Sequence, residues 1–301
     1  MSIIKRISIK LKAGIGALDE RFEKRTNYRL VKRTFKEFGK DEIGDRSAAI
    51  AYFAVLSIFP LLLGLVSLLG FFLPAGTVRE TVSNALGDVL PSSSSLIETN
   101  LDNIVEFRGL GAIISVALLL WSGSNLFAAI GRAVNRAWGI HRDRPFIKKK
   151  VLHLSMVVAT GLMLLASLGI TTAVDIIRGF DGSIINWFLR ASSYIVSFIL
   201  VFVVLLLIYK TLPNLKTTWK MVWPGALAAA VLFELAKQGF IWYLAKFADY
   251  SRIYGSLASL IVLIFWIYLS AVIVLLGVEL TAELYQMRTG KKIDKSQAVL
   301  P

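Results

Sequence analysis

SLASLIVLIFWIYLSAVIVLLGVEL, residues 256–280, runs for 25 residues with a single charged side chain, Glu279. A helix needs about 20 apolar residues to cross ~30 Å of hydrocarbon at ~1.5 Å rise per residue, so the stretch reads as a membrane-spanning helix. Five more runs meet the same test: 47–73, 109–131, 151–177, 191–212 and 223–247. Hydrocarbon offers no partner to backbone N–H and C=O groups, which leaves helices as the structure for such runs. The predicted fold class is all-α: a polytopic membrane protein built as a six-transmembrane-helix bundle. The run at 47–73 is 27 residues long and contains Pro60, which removes a backbone donor and clashes one turn back. Tilt, and a kink or break at Pro60, are therefore expected there, either as a packing kink or as a functional break.

The connections between the runs sort by charge. Residues 1–46 carry thirteen Lys and Arg, 132–150 carry seven, 210–220 carry three and 281–301 carry four. The alternate connections carry only Arg79, Arg108, Arg178, Arg190, Lys246 and Arg252. This asymmetry is the positive-inside pattern and predicts both termini in the cytoplasm. The domain reading is a basic amphipathic segment at 1–46, a membrane domain at 47–280 and a basic tail at 281–301. The formal charge of +14 would suggest nucleic acid in a water-soluble chain. Here the cations gather on one membrane face, where each is drawn to anionic headgroups by about 1 kcal/mol. Membrane lipid is the expected partner, and nucleic acid is not. With no cysteine, the chain makes no disulfide, thiolate nucleophile or zinc–thiolate site. The N-terminus lacks a compact apolar core followed by small cleavage-site residues, so it does not read as a signal peptide.

Before the first span, Ile4, Ile7, Leu11, Ile15, Leu18 and Phe22 recur at helical spacing, then Tyr28, Val31, Phe35 and Phe38 do so among Arg29, Lys32, Arg33 and Lys36. Both sets predict basic helices lying in the cytoplasmic interface with their apolar stripe in lipid. Residues 74–108 predict a pair of short external helices, each opened by a capping box: Thr77 with Glu80, and Ser95 with Glu98. They read as a cap over helix ends or as a lid over a cavity.

The fifth run opens WPGALAAAVLFELAKQ, residues 223–238. Gly225/Ala229 and Ala226/Ala230 are small pairs four apart that let a neighbouring helix approach closely. Glu234, Lys237 and Gln238 share one helical face near mid-depth. A lone charge there costs several kcal/mol, so the three should pair with each other or with another helix. They read either as an ion pair that sets helix register or as a polar site lining a cavity or proton path. Asn125, deep in the second run, needs a partner for its amide. Arg132, Arg136 and Glu279 mark charged groups toward the cytoplasmic end, where Glu279 and Glu283 can pair with the basic 132–150 connection or hold a cation. Trp121 and Trp266 are mid-span and are expected inside the bundle, whereas Tyr209, Trp219, Trp223, Trp242 and Tyr243 fall at the membrane boundaries. No phosphate-cradling loop is present, and His141 and His153 are not in metal-ligand spacing with carboxylates. No catalytic residue, cofactor or metal is therefore predicted.

Ala51-Tyr-Phe53, Ser57-Ile-Phe-Pro60, Trp121-Ser-x-Ser-Asn125, Asn135-Arg-Ala-Trp138, Leu212-Pro-Asn214, Pro224-Gly-Ala226, Glu234-Leu-Ala-Lys237, Tyr254-Gly-Ser-Leu257 and Gly277-x-Glu279-Leu280 follow one another in order across the chain. Together they resemble the YihY/BrkB family, formerly mislabelled ribonuclease BN. The resemblance implies a bacterial inner-membrane protein with six spans, and no catalytic residues carry over from it. It also implies a link to serum resistance and, in one branch, to movement of lipid A precursors. The function expected is a transporter or flippase-like protein for a lipid, glycolipid or other amphiphile. A non-transporting envelope scaffold is the alternative, and a membrane-bound ribonuclease a distant third. A homo-oligomer is compatible with the sequence. A topology reporter fused after Pro301 is expected to be active only in its cytoplasmic form, and periplasmic activity would overturn the orientation.

Overall fold

The computed structural model describes residues 26–69, 110–140, 143–178, 183–247 and 258–289, and every element among them is α-helical. They are α1 Thr26–Lys40, α2 Ile43–Leu69, α3 Leu110–Ala137, α4 Phe146–Arg178, α5 Ser183–Thr211, α6 Trp219–Phe247 and α7 Ala258–Thr289. The expected helices at 4–22 and 74–108 lie outside the described residues. Each apolar run becomes one helix, α2 to α7, with ends displaced by a few residues in most cases. α7 continues past the apolar run to Thr289, because its last two turns pack on protein.

Consecutive helices pack against one another from α2 through α7, and α7 closes back onto α2. The result is a ring of six rods, with α7 also touching α3. Four stretches are long and apolar enough to cross a membrane: Ile114–Ala137, Phe146–Ala166, Trp219–Leu244 and Leu260–Thr289; Ile195–Thr211 is a shorter apolar stretch. Large apolar side chains such as Leu118, Leu162, Ile195, Leu235 and Phe265 point outward and are exposed. An apolar belt of that extent is a surface for lipid, not for water.

The tightest packing joins α5, α6 and α7. Ala226, Ala229 and Ala230 are buried together with Gly225, as their four-residue spacing predicts. A Cβ on Gly225 would collide with Thr281 Oγ1 and sit 2.6 Å from the Gly277 carbonyl. One on Gly277 would collide with Tyr209 Oη and sit 2.6 Å from the Ala229 Cβ. Tyr209, fully buried, donates its hydroxyl to the Val274 carbonyl at 2.6 Å. Thr281 Oγ1 turns back to the Gly277 carbonyl at 2.7 Å, which removes its own unsatisfied hydroxyl from the contact.

Several expectations need correction. Of the kink or break expected at Pro60, the break is absent, since α2 is one helix from Ile43 to Leu69. Proline withholds the hydrogen bond owed to the Leu56 carbonyl, but the helix continues because its other bonds persist on either side. Trp121 is 63 % exposed and faces outward with Ile114 and Leu118, whereas Trp266 is buried as expected. Mid-depth does not separate the two sites, since hydrocarbon accepts an indole ring as readily as a protein core does. α1 packs on α7, and Phe38 lies against the bundle core instead of in lipid.

Helix ends are closed by backbone chemistry. Gly139 takes φ +67° after α3, with its N–H donating to Arg136 O at 2.7 Å and the Ile140 N–H to Asn135 O at 2.8 Å. That pair of bonds is the Schellman cap, which uses the left-handed freedom of glycine. Gly277→Leu is expected to destabilise the bundle by at least ~1–3 kcal/mol through overpacking. Gly161, where a Cβ would meet nothing within 4 Å, serves as the control, and Gly161→Ala should unfold at or slightly above the wild-type temperature, as alanine is the better helix former. Thermal unfolding in detergent measures both.

Candidate functional site: polar groups within and beneath the ring

α6 brings Glu234, Lys237 and Gln238 together. Lys237 Nζ lies 2.9 Å from Glu234 Oε2, and Gln238 Nε2 donates to Glu234 Oε1 at 3.3 Å. The positions are three and four residues apart on one helix, so the cluster assembles from local geometry alone. Lys237 is buried while Glu234 keeps 28 % of its side-chain surface, so the carboxylate is the side open to a ligand. Asn125 is half-buried on α3, which is not adjacent to α6 in the ring, and no described contact joins it to this cluster. Its near neighbour Ser124 is engaged: it accepts Lys150 Nζ at 2.5 Å and donates to Trp121 O at 3.0 Å.

On another face of α6, this helix and α7 flank a half-open apolar cavity of about 580 Å³ walled by Ala236, Gly239, Phe240, Val262, Phe265 and Leu269. A second, of about 280 Å³, lies among α2, α3 and α4 around Leu61, Gly123, Val157 and Gly161. Both fall near the range of small-molecule sites, roughly 300–1,000 Å³.

The expected end charges converge on a residue the sequence did not single out. Arg136 Nε lies 3.2 Å from Asp41 Oδ1, and Glu279 of α7 faces the same Asp41 carboxylate. Glu279 is only 2 % exposed, and its Oε1 has no hydrogen-bond partner; Glu283 Oε2, one turn on, is in the same position. Asp41 is held there by the corner between α1 and α2. Glu42 adopts φ 52°, a left-handed conformation disfavoured for a side chain with a Cβ, and Arg46 Nε grips the Asp41 carbonyl at 2.7 Å. Lys40, exposed nearby, donates to Glu37, a bond that holds its pKa above the usual lysine value. Arg132 is exposed and stands apart from this group.

A second polar knot ties two connections together. Arg144 donates from Nε to Asn214 Oδ1 at 2.8 Å, and from its two terminal nitrogens to Thr211 O at 3.1 Å and Pro213 O at 2.7 Å. The Asn214 N–H donates to Asn135 Oδ1 at 2.7 Å. Burial lowers the Arg144 pKa from the ordinary arginine value, but the guanidinium keeps its charge at any physiological pH. It closes the orphan carbonyls at the end of α5, a role suited to a planar fork of five donors. Nothing in the sequence marks Arg144 or Asp41 out, because each sits among many charges of the same segment. His153 is buried, and His141 lies outside the described residues. Among the described residues, no group of three or more His, Asp or Glu is arranged to hold a metal ion.

An all-helical ring with an apolar belt and sparse polar clusters defines a polytopic membrane protein. The chain belongs to the family described as virulence factor BrkB, whose model matches residues 34–300. It is 30 % identical over 270 residues to the ribonuclease-like protein YfkH of Bacillus subtilis, covering 86 % of this chain and 96 % of that one. It is 31 % identical over 245 residues to a UPF0761 membrane protein of Aliivibrio salmonicida, covering 81 % and 79 %. A UPF0761 membrane protein of Aeromonas salmonicida is 30 % identical, with 82 % and 86 % covered. No solved structure matches the chain.

Arg144→Ala would leave the Thr211 and Pro213 carbonyls and the Asn214 amide short of donors. It is expected to lower stability by about 2–4 kcal/mol, and Arg144→Lys should restore less than half, because one ammonium cannot reproduce the fork. Denaturation in mixed micelles, read by circular dichroism, tests the series.

Proposed function

We propose that this chain is a six-span protein of the bacterial inner membrane, with both termini cytoplasmic, that moves a lipid, glycolipid or other amphiphile across the bilayer. The single observation that carries the reading is the pairing of unlike surfaces on α6. Glu234, Lys237 and Gln238 form a polar cluster on one face of α6, and Ala236, Gly239 and Phe240, on another face of the same helix, wall an apolar cavity. An amphiphile, with a headgroup and a hydrocarbon tail, calls for both kinds of surface. The Lys and Arg distribution supports the orientation. Proton or ion coupling through Glu234 would be consistent with its partial exposure.

A scaffold that transports nothing is favoured by one observation: Glu234 satisfies both its oxygens within its own helix. The two readings differ in water access. Single cysteines placed at Asn125 and Ala230 should react with a membrane-impermeant thiol reagent if a cavity opens, and a closed scaffold leaves both unlabelled.

Purified protein reconstituted in vesicles should accelerate exchange of fluorescently labelled lipid between leaflets at least tenfold over empty vesicles. Glu234→Gln, which keeps the shape but loses the charge, should remove most of that acceleration. Wild-type rates equal to those of empty vesicles would end the lipid reading.

A further inference from the structure

Glycines inside helices are unfavourable by about 1 kcal/mol relative to alanine, so each in a well-formed helix calls for a reason. At Gly225 and Gly277 the reason is protein: a Cβ at either would strike a neighbouring helix. Gly239 is different. It lies mid-way along α6, on the wall of the 580 Å³ cavity, and a Cβ there would meet no atom within 4 Å. Its missing side chain makes no room for any other part of the described protein. It widens a groove.

The rest of that groove has one chemistry. Phe240, Val262, Phe265 and Leu269 line it, with Phe240 stacked on buried Trp266 at a centroid separation of 5.0 Å. From Ala236 to Leu244 it follows α6 for about 12 Å at 1.5 Å rise per residue, the direction along which a lipid chain would lie beside a spanning helix. Its outer walls, Ile261 and Phe265, are exposed on the apolar belt, so the groove opens sideways into the hydrocarbon. At the end of α6 nearest residues 248–257 stands Lys246, its ammonium 5.4 Å from the centre of the Trp242 ring. Cation and indole together sit where the headgroup of a lipid lodged in the groove would fall, and a lysine at that level favours a phosphate.

We infer that the α6–α7 groove is a binding site for one acyl chain of an anionic glycerophospholipid, with Gly239 giving the chain its width and Lys246 facing its phosphate. The occupant is a bilayer lipid and not a second copy of this chain. A partner helix would require close backbone approach along a continuous small-residue stripe, whereas this face alternates Gly239 with Phe240 and Tyr243. The site goes beyond the transport reading, since a lipid held here need not cross the membrane.

Native mass spectrometry of the full chain released from detergent, titrated with phosphatidylglycerol or phosphatidylcholine, tests the site. Wild type should retain one phosphatidylglycerol in preference to phosphatidylcholine by at least fivefold. Gly239→Leu, whose Cβ meets no atom within 4 Å, places its side chain in the groove and should reduce that first binding step at least tenfold at an unfolding temperature no lower than wild type. Lys246→Ala should keep a bound lipid but lose the headgroup preference, and Gly161→Leu, in the other cavity, should bind as wild type. A second readout needs no groove variant: lipids brominated along the chain should quench wild-type tryptophan fluorescence, and Trp266→Phe should lose part of that quenching. Wild-type binding by Gly239→Leu, or quenching indifferent to Trp266, would overturn the proposal. So would a wild-type dimer that Gly239→Leu converts to monomer, which would assign the groove to a second copy. Lipid exchange between leaflets is scored separately, so loss of binding and loss of transport remain distinct results.

Discussion

Where α6 crosses α7, two glycines allow backbones to approach until the Gly277 carbonyl would touch a Cβ placed on Gly225. In hydrocarbon the gain from burying apolar surface is absent, because lipid tails are as apolar as leucine, and helix pairs must rely on dispersion and hydrogen bonds at short range. The ring depends on this crossing. α5 joins it through Tyr209, whose hydroxyl reaches over α7 to Val274, so three of the six helices share one contact region. α2 and α3 then pack onto α7 from the other side, and α7 is the element that every account of the bundle passes through.

The second constraint acts at the ends of the rods, where helices must be joined without leaving backbone groups bare. The two knots at residues 135–144 and 211–214 solve this with side chains instead of secondary structure: Arg144 supplies donors to carbonyls, and Asn135 supplies an acceptor to a free amide. Both connections belong to the set the charge pattern places on one membrane face. The basic residues of this face therefore differ in kind. Arg132 is exposed, whereas Arg144 and Arg136 make bonds that hold the structure together.

The helices themselves were plain in the sequence, since length and apolarity decide them and neither depends on distant contacts. The run at 223–247 becomes Trp219–Phe247, and the run at 151–177 becomes Phe146–Arg178. The small-residue contact was readable for the same reason, as Gly225, Ala226, Ala229 and Ala230 lie at fixed spacing on one helix. The Glu234 cluster was readable because three and four residues apart is a local relation. Asp41 and Arg144 were not. Their partners lie about 70 to 240 positions away in the chain, and only helix azimuth and corner geometry, such as the left-handed Glu42, decide which of many similar charges turns inward. Trp121 failed in the same way. Depth follows from counting residues, but facing requires knowing the neighbours.

The Glu234 cluster also limits how any ligand could use it. Leaving a buried charge without its partner is costly, so Lys237 cannot simply release Glu234 to take up a substrate. Lys237 is the more buried partner and Glu234 the more open, which makes exchange at the carboxylate the easier path. A charged group that reached the cluster would have to bring an anion to Lys237 as Glu234 swings away, or a cation to Glu234 while the pair stays closed. The first route favours a phosphate and the second an amine.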